Sequence, residues 1–90
     1  MATELNFTKE DGVWTAETVS SGTPMAVEVN RTEGGPFLVK GSVGDLKQVT
    51  LRDFGPRAER NLLFETDVPE SVKLHFISYT EVESAKTEGV

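Results

Sequence analysis

The stretch VKLHFISYTEV, Val72 to Val82, decides the fold. Val72, Leu74 and Phe76 alternate with Lys73 and His75, the period of two expected of a strand with one covered face. Pro69 stands just ahead of it, where a residue without an N–H opens a strand without breaking a ladder. After Phe76 the pattern changes parity: Ile77 and Tyr79 carry the apolar surface, and Ser78 and Thr80 are polar. This change predicts either a bulge or a strand covered on both faces. The stretch therefore reads as a central strand on which shorter strands pair.

Working outward, the chain alternates short strand-forming runs with turn signals. Glu4 to Thr8 places Leu5 and Phe7 on one face, and Lys9-Glu10-Asp11-Gly12 supplies an Asp-Gly hairpin turn before a second run from Val13 to Ser20. Met25, Val27 and Val29 alternate with Ala26, Glu28 and Asn30, between a Ser-Gly-Thr-Pro loop and a Gly34-Gly35-Pro36 break. Phe37, Val39 and Val43 form the next run. Gly41 inside it signals a bulge or a close backbone approach. Lys47 to Phe54 and Leu62 to Thr66 complete the strands, separated by Gly55–Asn61, which has room for one helical turn. Seven to eight antiparallel strands with no amphipathic helix define an all-β domain, a small β-sandwich or jelly roll. It spans residues 1–82 and is followed by a polar, frayed tail at 83–90.

Ninety residues make one domain with a thin core, burying roughly 60–65% of the unfolded surface. Without cysteine there is neither a disulfide to support that core nor a thiolate metal site. A small β domain lacking such supports gains stability by associating with itself. The net charge of −6 opposes binding to nucleic acid or anionic lipid, so protein is the expected partner. The charge is uneven: residues 1–30 and 61–90 each carry −4, and residues 31–60 carry +2. No apolar run is long enough to span a membrane, and Met1–Asp11 lacks the basic and apolar regions of a secretory signal. The expected location is cytoplasmic.

No catalytic, cofactor or metal constellation emerges. Asp53-Phe54-Gly55 matches a kinase magnesium motif, but the chain has no phosphate loop and is far too short. Asn6-Phe7-Thr8 and Asn30-Arg31-Thr32 are glycosylation sequons without a signal to expose them to the machinery. The one histidine, His75, sits between Leu74 and Phe76 as a packing residue. Asp11, Glu65 and Asp67 form no distinct acid pair.

Two residue groups remain. Arg52, Arg57 and Arg60 surround the Gly55-Pro56 loop, a pattern suited to a protein interface. Trp14 and Tyr79 are the aromatics available to stack on a sugar ring, although a lone Trp in a thin core serves first as packing. The sequence thus points to a non-enzymatic structural or interaction module that self-associates. By fold-level analogy it suits a phage-type virion accessory protein. A carbohydrate-binding module using Trp14 and Tyr79 is the alternative.

Overall fold

The computed structural model describes residues 2–89, which form nine strands and no helix. In chain order they are β1 (Thr3–Glu4), β2 (Thr8–Glu10), β3 (Val13–Val19), β4 (Met25–Arg31), β5 (Phe37–Ser42), β6 (Val49–Asp53), β7 (Asn61–Thr66), β8 (Lys73–Ser78) and β9 (Val82–Gly89). Two antiparallel sheets pack face to face, one ordered β1-β9-β4-β7 and the other β2-β3-β8-β5-β6. The pairing is nested. β5 pairs with β6, β4 with β7, β3 with β8 and β1 with β9. One long hairpin rolled around a barrel axis produces this order, which is the jelly roll, with β2 added at one edge.

Alternation along each strand builds the core. In one sheet Val27 and Val29 of β4 face inward beside Phe64 and Leu62 of β7 and beside Thr87 and Ala85 of β9. In the other, cross-strand rows run Trp14–Ser78–Phe37, Ala16–Phe76–Val39 and Thr18–Leu74–Gly41. Phe37, Phe54, Phe64 and Phe76 meet edge-on or tilted at centroid distances of 4.8–6.4 Å, the geometry aromatic quadrupoles favour. At Asp11-Gly12, φ values of 50° and 82° give the two-residue turn that the Asp-Gly pair predicts.

Three expectations need correction. The Val72–Val82 stretch is two strands. β8 lies in the middle of its sheet as expected but ends at Ser78, and the chain crosses to the other sheet through Tyr79–Glu81. The parity change marks that crossing. Ser78 fills a fully buried inward position, and its hydroxyl donates to the Thr80 carbonyl at 2.7 Å. The tail expected at 83–90 is not frayed over residues 83–89, since β9 runs between β1 and β4 in the centre of a sheet; Val90 lies outside the described residues. Its inward residues, Ala85 and Thr87, are small and sit beside Val29 and Val27 of β4, so its sequence looks polar. Finally, Glu4–Thr8 is not one strand: β1 and β2 belong to different sheets, with buried Leu5 at the crossing.

Candidate functional site

The two lateral sides of the sandwich differ. On one side the edge strands β1 and β2 have only two and three residues, short enough to offer little ladder to another chain. On the other side the edges are β6 and β7, five and six residues long. All five residues of β6 are exposed. Antiparallel pairing with β5 uses only about half of its backbone groups, so the remainder face outward.

Apolar surface concentrates at the same edge. Of seven exposed large apolar or aromatic side chains among the described residues, four lie on the β5–β6 hairpin: Val43, Leu46, Val49 and Leu51. Such clustering separates a patch from the scattered exposure that any small protein shows. They line an apolar groove of about 220 Å³ with Val72 as part of its floor. Leu51 is shared with a second hollow of about 260 Å³, a slot between β6 and β7 floored by Val39, Phe64 and Val68. Glu65 and Asp67 stand on the β7 lip of this slot and Arg52 on the β6 lip.

The register explains how Leu51 comes to join the two hollows. Val39 opposes Arg52, but Lys40 opposes Thr50, so Leu51 is an extra residue bulged out of β6. Its side chain lies over Gly41, where a Cβ would stand 2.7 Å from Leu51 Cδ1 and 3.2 Å from Val72 Cγ1. Of the two meanings of Gly41 expected from the sequence, the close approach occurs at Gly41, while the bulge falls in the neighbouring strand at Leu51.

The predicted interface arginines occupy this side of the molecule. The Arg52 guanidinium lies 4.4 Å from the Phe54 ring centre and 5.7 Å from that of Phe64, held by cation–π contact at the slot rim. Arg57 and Arg60 are exposed on the β6–β7 loop. Trp14 is half-buried in the inward row with Ser78 and Phe37, and Tyr79 is exposed just past the end of β8. The ring contacts among the described residues join phenylalanines to one another.

Sequence reasoning passed over two further features. Arg31 is wholly buried. Its Nε donates to the Arg60 carbonyl, Nη1 to the Pro36 carbonyl and Ser78 Oγ, and Nη2 to the carbonyls of Gly35, Ala58 and Glu59, at 2.6–3.3 Å. Burial lowers its pKa below the ordinary guanidinium value. Six neutral acceptors hold the proton, so the group remains a cation at neutral pH. The signal was present in the sequence: the parity that buries Val27 and Val29 carries Arg31 to the same face.

The other feature is on the outer face of the β3–β8–β5 sheet. His75, itself buried, places Nε2 2.9 Å from Ser42 Oγ and Nδ1 3.3 Å from Glu17 Oε1. Lys73 Nζ also approaches Glu17, at 3.5 Å. Glu17, His75 and Lys40 are directly paired across three strands, as are Val19, Lys73 and Ser42 in the next row. No cluster of three or more His, Asp or Glu with metal-site geometry occurs among the described residues, nor any helix long and apolar enough to cross a membrane.

The fold and its open side place the chain among jelly-roll sandwiches with one unprotected lateral edge. No family model matches the sequence, and no match was found among curated proteins or solved structures.

Proposed function

We propose that this protein is an assembly module that joins a second copy of itself through the β6 edge. One observation carries the reading: a fully exposed edge strand coincides with four of the seven exposed apolar or aromatic side chains. Edge strands in stable monomers are shortened, covered or charged, as β1 and β2 are shortened here. Two β6 strands running antiparallel about a two-fold axis near Leu51 are self-complementary, as a closed dimer requires. The basic rim at Lys47 and Arg52 and the acidic lip at Glu65 and Asp67 offer complementary charge to a second copy. A stable interface of about 1,200 Å² in total needs about one tenth of each copy's 5739 Å² surface. Assembly into a virion shell belongs to the same class of function and rests on fold analogy.

The test is mass in solution by light scattering across a concentration series, with Val49→Lys and Leu51→Lys as edge variants. A dimer or larger closed ring that both variants reduce to folded monomers supports the reading. A wild-type monomer at every concentration, or variants that associate unchanged, refutes it.

A further inference from the structure

We infer that Ser42 is an activated nucleophile, with His75 as its general base and Glu17 as the positioning residue, and that it accepts acyl groups from activated esters. The inference goes beyond assembly and departs from the expectation of a catalytically silent domain. A carboxylate can only accept a proton, so the Glu17 contact favours the tautomer with hydrogen on Nδ1. That leaves the Nε2 lone pair facing Ser42 Oγ at 2.9 Å, within the reach required of a nucleophile and its base. The order Ser–His–acid and the two ring nitrogens used are those of a serine hydrolase triad, recognised by geometry and not by chain position. Three adjacent strands hold the groups, so the arrangement rests on rigid ladder pairing.

The surroundings supply the remaining parts. Ser42 borders the apolar groove, but its Oγ turns to the outer face with His75, away from Leu51 and Val72 on the inward side of Gly41, so an ester reaches the hydroxyl from the open outer face. Directly after Ser42, the Val43–Leu46 turn closes with its own hydrogen bond from Leu46 N to Val43 O at 3.0 Å. The N–H groups of its central residues, Gly44 and Asp45, lie outside that bond and follow Ser42 closely in sequence, as donors a developing oxyanion could use. Lys40 and Lys73 stand on the same sheet face as further positive charge. In the step proposed, Oγ attacks the ester carbonyl carbon and its proton passes to Nε2. The carbon–oxygen bond to the alcohol then breaks, the leaving oxygen takes the proton from Nε2, and the acyl group stays on Ser42. Water, deprotonated by the same Nε2, then releases the acid.

The experiment is para-nitrophenyl butyrate turnover by the full chain, followed by nitrophenolate release, intact mass and peptide mapping. The expected result is a butyryl adduct on Ser42, formed at least about 100-fold faster than on any serine of the urea-unfolded chain, the lower end of general-base contributions. Ser42→Ala abolishes it. Glu17→Gln, at an exposed site where folding is retained, lowers the acylation rate about tenfold with KM unchanged. The modest size reflects a carboxylate that is screened by solvent and shared with Lys73. His75→Gln lowers acylation about 100-fold, the same general-base contribution. Adducts spread over several serines at the unfolded rate, or Ser42 acylation unaltered by both Glu17→Gln and His75→Gln, overturns the inference and leaves the Ser42–His75 bond as packing. Because the readout is chemical, its failure is distinct from failure of the assembly reading.

Discussion

Replacing Arg31 with methionine tests whether a buried cation without a carboxylate partner stabilises this fold or burdens it. A methionine of similar reach removes the charge and all six side-chain hydrogen bonds. Four of the acceptors keep other partners. Arg60 O still receives the Arg31 N–H, Ala58 O that of Gly35, Pro36 O that of Tyr79, and Ser78 Oγ that of Thr80. The carbonyls of Gly35 and Glu59 receive only the guanidinium in the bonding described above. Leaving a buried polar atom unsatisfied costs about 1–3 kcal/mol, so two give about 2–6 kcal/mol. Both positions are only partly buried, so water relieves some of the loss, and relief of the cation's desolvation offsets more. The expected net loss is about 2–4 kcal/mol, against a total of roughly 5–13 kcal/mol for a chain of this size. With about 4–8 °C per kcal/mol, the melting temperature falls by roughly 10–30 °C, read by Trp14 fluorescence or circular dichroism. Arg31→Lys should do no better, since a shorter ammonium keeps the buried charge but cannot reach six acceptors. A folded pKa below the ordinary value means the penalty is present at every pH below it and is relieved only as pH rises through it. The loss is therefore flat with pH near neutrality. A methionine variant as stable as wild type, or more stable, would refute the reasoning and make Arg31 a charge carried at a cost.

Three further perturbations separate backbone contacts from side-chain ones and the core from its margins. At Gly34 a Cβ would stand 2.8 Å from the Ala58 carbonyl oxygen, which already accepts from Arg31 and Gly35, so Gly34→Ala is expected to cost about 2–3 kcal/mol by displacing backbone. Gly41→Ala meets only side-chain atoms, those of half-exposed Leu51 and of Val72 Cγ1 at 3.2 Å, and should cost about 1 kcal/mol, less than Gly34→Ala; equal melting temperatures for the two variants would undo the distinction. Removing residues 82–90 should abolish cooperative unfolding altogether, because β9 carries the ladders to both β1 and β4. A truncated chain with a sharp thermal transition would show that β9 is dispensable.

How much of this was legible depended on the range of the interaction. The Asp11-Gly12 turn, the alternation of Val27 and Val29 and that of Leu74 and Phe76 are local, and each occurs where the sequence places it. The end of β8 was harder to read. A polar residue at an inward position usually argues against a strand, whereas Ser78 is inward and satisfied by Arg31 and Thr80. Strand β9 escaped notice because its inward positions need only small side chains. Glu17, Ser42 and His75 are scattered along the chain and become neighbours only when β3 and β5 flank β8, a pairing that no local pattern announces. Arg31 lay on the core face by parity, but its acceptors come from two loops and a strand end, and only the folded chain brings them together.

Arg31 and the open side form one mechanical unit. The chain leaves β6, crosses between the sheets through residues 54–60 and enters β7, and both ends of that crossing are tied down. Phe54 N donates to Phe37 O at the start, and three consecutive carbonyls, Ala58, Glu59 and Arg60, accept from Arg31 at the finish. Ala58 also receives Gly35 N, and Arg60 the N–H of Arg31 itself. A long connection between two edge strands would otherwise be the most mobile part of the sandwich. Instead it fixes where β6 ends and β7 begins, and with them the slot bounded by Leu51, Arg52 and Phe64. An edge held in place before it meets a second strand loses less entropy on pairing. The buried cation thus stabilises the fold at the point where the assembly reading needs rigidity. On that reading, Arg31→Met weakens self-association at temperatures where the variant is still fully folded, as Leu51→Lys does, but by loosening the edge and not by blocking it.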